Sequence, residues 1–214
     1  MLSKKRLLIF AFLIQLTTAY TQHAIEPYIG YSSDQNNTFR FKQYNIGMQM
    51  VLNNKKVYNM LLTFQAGLPG NKSTGTDLAY TQNSDLPLTS EAFRETKVMS
   101  YSAGLMHRFK FFTFKEKHSF YAFVSTNILH QHIKTDYNYI KGDYTILNPH
   151  RNYKRTGLNL NFGLRYAYDI SSNHQLFIQA VQSTVATNKE NKDLHGYKSI
   201  APLSGHLGFT IKIK

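Results

Sequence analysis

The chain has 214 residues, enough for one domain, with a formal net charge of +13 and no cysteine. Without cysteine there is no disulfide, no thiolate zinc site, no cysteine nucleophile and no acylated lipoprotein cysteine. The basic residues are scattered, which speaks against nucleic acid as a partner and for anionic lipid head groups or lipopolysaccharide phosphates.

In chain order, the first element reads as an export leader over 1–21. Lys4, Lys5 and Arg6 form a basic start, and Leu7 to Leu16 an apolar stretch broken only by Gln15. Cleavage is expected after Ala19 or Thr21. Ten apolar residues are too few for a membrane helix, which needs about 20. The mature chain, 22–214, then shows period-two alternation and no convincing helical periodicity.

A first, irregular strand is expected over about 24–32. In the second, Tyr44, Ile46, Met48, Met50 and Leu52 alternate with Asn45, Gly47, Gln49 and Val51. The third sets Met60, Leu62, Phe64 and Ala66 against Asn59, Leu61, Thr63 and Gln65. In the fourth, Met99, Tyr101, Ala103, Leu105, His107 and Phe109 oppose Ser100, Ser102, Gly104, Met106, Arg108 and Lys110. The fifth, about 119–134, carries apolar residues on both faces, and alternation leaves its orientation open. The sixth is the cleanest: Leu158, Leu160, Phe162, Leu164, Tyr166 and Tyr168 oppose Asn159, Asn161, Gly163, Arg165 and Ala167, with Arg155 beginning the polar face. A seventh follows over about 175–187, and an eighth sets Leu203, Leu207, Phe209 and Ile211 against Ser204, His206, Gly208, Thr210 and Lys212. Fifteen tyrosines and fifteen phenylalanines suit such strands.

The connections decide the architecture. Short turns at 53–56, 113–118 and 169–174 alternate with longer loops at about 33–38, 69–95, 135–153 and 188–198. This order predicts an all-β fold, an eight-stranded antiparallel up-and-down transmembrane β-barrel with both termini at the short-turn end. Pro69, Pro87 and Pro149 fall in loops; Pro27 and Pro202 are placed near the starts of the first and last strands, where a missing amide donor is tolerated.

Alternation also fits a soluble, lipocalin-like exported barrel with its apolar face around a hydrophobic ligand. Three features favour the membrane: a polar face of Asn, Gln, Ser, Gly and Arg, strands longer than ten residues, and tyrosines near strand ends. An eight-stranded membrane barrel must close, and its interior is just wide enough for side chains. The lumen is therefore expected to be plugged, with Glu26, Arg108, Arg155 and Arg165 inside and Glu26 paired with one of the arginines. The expected place is the bacterial outer membrane, with both termini periplasmic.

The glycine-led pieces Gly47-Met48-Gln49-Met50, Gly104-Leu105-Met106-His107-Arg108-Phe109, Gly163-Leu164-Arg165-Tyr166 and Gly208-Phe209-Thr210-Ile211, with the leader ending Ala19-Tyr20-Thr21-Gln22, resemble the small outer-membrane β-barrel domain proteins common in Bacteroidetes, the PorT-like type. The resemblance implies an eight-stranded outer-membrane barrel and brings no catalytic residues. The ending Ile213-Lys214 departs from the aromatic last residue common in better-known outer-membrane proteins.

The candidates for chemistry are His130, His132 and Asp136, with Ser125 or Thr126 nearby. A hydrolase needs nucleophile, base and orienting acid within reach, and nothing in the spacing fixes a third member. A metal would need a further ligand, so neither a metal nor a cofactor is expected. The reading adopted is non-enzymatic: a barrel whose long loops or wall bind outer-membrane lipid, lipopolysaccharide or other envelope proteins. His130, His132 and Lys134 are the candidate lipopolysaccharide rim, and 69–95 the candidate binding loop. A lipid A-modifying enzyme and the soluble ligand carrier are the alternatives.

Overall fold

The computed structural model describes residues 23–33, 42–55, 57–70, 73–147, 149, 152–186 and 203–213. The predicted leader and the connections at about 33–38 and 188–198 lie outside these residues, apart from Ser33. Among the described residues there are nine strands: β1 (His23–Ser33), β2 (Lys42–Asn54), β3 (Tyr58–Pro69), β4 (Ser73–Tyr80), β5 (Thr89–Phe114), β6 (His118–Asn138), β7 (Tyr153–Asp169), β8 (His174–Ala186) and β9 (Leu203–Ile213). All pairings are antiparallel. The ring runs β1-β2-β3-β5-β6-β7-β8-β9 and closes where β9 pairs with β1. The fold is an eight-stranded up-and-down barrel.

The ninth strand arises because β5 is 26 residues long and changes partner along its length. Its second half, 100–109, pairs with β3 inside the ring. Its first half, 89–96, pairs with β4. The connection expected at 69–95 is thus mostly strand: Ser73–Tyr80 runs out, a turn follows, and Thr89 begins the return. β6 follows β5 outward as far as Asn138, so β4, β5 and β6 form a sheet that projects past the ring. Residues 139–147 fold against it through a two-hydrogen-bond bridge between Tyr80 and Thr145. The loop expected over 135–153 therefore begins as strand and continues over 139–147 as a strap.

The register is staggered. Stepping from Ser33 to its partner Leu203, and onward through Gln182, Phe162, Val124, His107 and Met60, leads to Asn53, two residues beyond the Val51 that pairs with Ala24 near the other end of β1. Such a stagger tilts strands against the barrel axis and fixes the interior width.

Side-chain polarity is inside out relative to a soluble protein. Ile29, Ile46, Phe64, Leu105, Ile128, Leu164, Ile178 and Leu207 point outward and are exposed. Gln49, Thr63, Arg108, Ser125, Asn159, Arg165, Gln179 and Thr210 point inward and are buried. The lipocalin-like reading needs the opposite arrangement. Register also orients β6, which alternation left open: Tyr121, Phe123 and Leu129 face inward, and Val124 and Ile128 outward.

Two local features depart from the alternation. A bulge between Val51 and Asn53 withdraws Leu52 from the outer wall, leaving it 4% exposed. Pro27 lies in the middle of β1, not near its start. The β1–β9 ladder breaks there, between the Ile25–Ile211 and Tyr28–Gly208 pairs, because proline offers no amide donor.

Candidate functional site

The lumen is built in layers, each set by the inward half of the strands. Nearest the short-turn end is an ion cluster. Glu26 from β1 sits between Arg108 from β5 and Arg165 from β7. Arg165 donates to it at 2.6 Å and 3.1 Å, and Arg108 at 2.8 Å and 3.2 Å. The carboxylate also accepts from the Thr210 hydroxyl at 3.1 Å. Glu26 thus pairs with two arginines, where the sequence reading assigned one. Both guanidiniums form the two-pronged contact that suits a carboxylate. Neutral groups complete the cluster: Arg165 donates to Gln175 at 3.2 Å, and Arg108 to Asn59 at 3.4 Å.

Aromatic rings wall the cluster in. The Arg165 guanidinium lies 3.6 Å from the centre of the Phe177 ring, and that of Arg108 lies 5.1 Å from Tyr121. Such contacts strengthen once water is excluded. Glycine makes room for these rings. A side chain on Gly208 would fall 2.7 Å from Phe177 Cε1, and one on Gly163 2.6 Å from Phe123 Cζ. Three of the glycine-led pieces, those of Gly47, Gly163 and Gly208, are therefore places where a neighbouring aromatic ring fills the lumen, whereas Gly104 makes room for Asn127.

Above the ions lies a layer that the sequence reading did not single out. His206 stacks on Tyr28 with ring centres 4.7 Å apart and meets Gln179 at 2.9 Å. The Tyr28 hydroxyl donates to Gln65 at 3.0 Å. The only sequence signal was that Tyr28 and His206 share the parity of Glu26 and Thr210 on their strands. Next comes a band of amides and hydroxyls, in which Asn45 donates to Ser32, Thr63 to Asn127 and Asn127 to Ser125. Two polar cavities flank the ions. One of about 60 Å³ lies among the amides, and one of about 110 Å³ lies toward the short-turn end, lined by Glu26, Arg108 and Lys212. These volumes hold a few waters each.

The remaining predicted residues fall elsewhere. The Arg155 side chain lies outside the described residues, although its backbone pairs with Gln131. His130, His132, Lys134 and Asp136 form one outward row on β6. Ser125 points into the lumen, 2% exposed, so the wall separates it from both histidines. Among the described residues no group of three or more His, Asp or Glu is placed to hold a metal ion.

The projecting sheet has its own interior. Ala79, Ala92, Tyr144 and Ile146 form a small buried cluster, with Leu86, Tyr137 and Tyr139 packed against it. Asp77 locks its base, accepting from Arg94 at 3.0 Å and 3.1 Å and from the Tyr137 hydroxyl at 2.9 Å. Leu78 and Phe93 are exposed on it, at 52% and 59%.

No family model matches the chain, and no curated protein is significantly similar to it. Among solved structures it is similar to Neisserial surface protein A, at 10% identity and a TM-score of 0.49, over 90% of this chain and 96% of that one. It is similar to the outer membrane protein OprG from Pseudomonas aeruginosa at 9% identity and 0.48, over 90% and 96%. It is also similar to Ail, the attachment invasion locus protein of Yersinia pestis, at 11% identity and 0.44, over 90% and 98%. Likeness at this level decides no function, and the barrel rests on its own strand register.

Proposed function

We propose that the chain is an integral outer-membrane β-barrel with a plugged lumen, whose projecting β4–β6 sheet and outer wall serve as binding or assembly surfaces. The observation that carries this reading is the reversed polarity: an apolar wall around a polar, ion-paired interior. From Met99 to Phe109 in β5, Phe120 to Ile128 in β6 and Leu158 to Tyr168 in β7, the outward residues include no Asp, Glu, Lys or Arg. Water would make that wall costly, whereas a bilayer matches it.

Aromatic contacts mark the edges of the wall. At the short-turn end Tyr58 touches Phe109, Phe120 touches both Phe112 and Tyr166, and His174 touches Phe209, with ring centres 5.1–5.8 Å apart. At the other end Tyr31 and Tyr44 lie 5.8 Å apart. Aromatic residues at both rims of an apolar wall are what the two bilayer interfaces select. The short turns then face the periplasm, together with both termini of the barrel, and the β4–β6 sheet reaches outside.

A plugged lumen leaves the outer surfaces for function. The sheet has a buried cluster of its own and presents Leu78 and Phe93 to solvent, as a docking surface for another envelope protein does. Fractionation of tagged protein tests the reading. The account expects retention in urea-washed membranes and a gel mobility that changes on heating. A soluble chain with unchanged mobility would overturn it. For the sheet, a photo-reactive residue at position 93 should yield an adduct with an envelope protein, and one at position 116 should not.

A further inference from the structure

Three neighbouring strands change character at one level of the outer wall. On β6 the outward residues run Val124, Thr126 and Ile128, then His130, His132 and Lys134. On β7 Leu160 and Leu158 give way to Thr156 and Lys154. On β5 Tyr101 and Met99 give way to Lys97. Register brings the cationic ends together: Lys97 stands directly opposite Lys134, and Lys154 directly opposite His132. His130 is held against the wall by Thr156 at 2.9 Å.

Two lysines facing each other across adjacent strands repel. Lys134 has Asp136 at 3.4 Å, and Glu95 stands opposite Asp136. Both acids lie one step further from the apolar wall. Toward the wall this group therefore presents three ammonium groups and two imidazoles, directly above lipid-matching side chains. An anion that carries its own apolar chains fits that boundary.

We propose that Lys97, Lys134 and Lys154, with His130 and His132 between them, bind the phosphates of a phosphorylated outer-leaflet lipid. Its acyl chains lie down the stripe of Ile128, Leu158 and Tyr101. The proposal rests on the membrane reading above and deepens it by naming the lipid chemistry. Ammonium-to-phosphate bonds supply the attraction, and the stripe below distinguishes a lipid from a free phosphate.

The test uses the purified full chain in detergent micelles, offered bisphosphorylated lipid A or its dephosphorylated form. Mass spectrometry then counts the lipid retained after detergent exchange. The wild type should retain the phosphorylated lipid at least about tenfold better. Combined Lys97→Ala, Lys134→Ala and Lys154→Ala should abolish that preference while keeping heat-modifiable mobility. Lys154→Ala alone, at a strand end, should lower it about fivefold and serves if the triple variant does not fold. Equal retention of both lipids by the wild type would overturn the proposal, as would undiminished preference in the variants. Binding of inorganic phosphate alone at the strength of the lipid would also overturn it. In all these outcomes the chain remains a detergent-requiring barrel; a chain soluble without detergent would instead overturn the membrane reading itself.

Discussion

Glu26 and Arg165, 139 residues apart in sequence, meet at 2.6 Å inside the lumen, toward its short-turn end. With Arg108 on the other side, the carboxylate closes the interior. Neither β1 and β5 nor β1 and β7 are adjacent in the ring, so the cluster ties strands that backbone hydrogen bonds do not join.

Removing Glu26 leaves two buried guanidiniums facing each other without their shared acceptor. Glu26→Ala should destabilise the folded barrel by about 3–5 kcal/mol. Arg165→Met should cost more than Arg108→Met, because Arg165 also binds Gln175, Thr210 and the Phe177 ring. Urea titration followed by the heat-modifiable gel shift measures both. Equal stability of Glu26→Ala and wild type would remove the cluster from the account.

A side chain at Gly208 would collide with the Phe177 ring. Gly208→Val would push Phe177 away from the Arg165 guanidinium and should destabilise by about 1–3 kcal/mol. Gly205, where an added Cβ meets nothing within 4 Å, is the control: Gly205→Ala should be near neutral by the same titration.

The β5–β6 turn stores backbone strain. Lys115 and Glu116 both have positive φ, at 49° and 56°, a conformation that costs residues with a Cβ about 1–2 kcal/mol each. Asn and Gly are the residues that take up this conformation most readily in turns. Replacing the pair by Lys115→Asn and Glu116→Gly should raise stability by about 1–2 kcal/mol. An unchanged urea midpoint would show that the turn carries no such strain.

The projecting sheet should loosen independently of the ring. Asp77→Ala removes the acceptor shared by Arg94 and Tyr137 and should open 73–96 to protease while leaving the heat-modifiable core intact. Loss of the core along with the sheet would mean that the two are one cooperative unit.

Much of the ring was legible because a polar lumen and an apolar wall write alternation directly into the sequence. β7 is the clearest case, with Leu158 to Tyr168 outside and Asn159 to Ala167 inside. β6 was harder, since Tyr121, Phe123 and Leu129 fill the lumen and blur the contrast with Val124 and Ile128. β4 escaped notice because Ser73-Thr74-Gly75-Thr76-Asp77 has loop composition; its strand comes from pairing with β5, not from an alternating side-chain pattern. Parity put Glu26, Arg108 and Arg165 inside, but their meeting point follows from the stagger between strands, which no single strand encodes. His206 was assigned its face, yet its stacking on Tyr28 depends on the same stagger.

The chain has no cysteine, so one introduced thiol reports one position cleanly. Asp85→Cys lies in the turn of the projecting sheet, and Glu116→Cys in the short turn at the opposite end. With a membrane-impermeant maleimide on intact cells, the account predicts labelling of Cys at 85 and labelling of Cys at 116 only after the outer membrane is permeabilised. Labelling at 116 with protection at 85 would contradict the orientation. Equal protection of both until the envelope is opened, in a chain recovered as soluble protein, would contradict the membrane barrel itself.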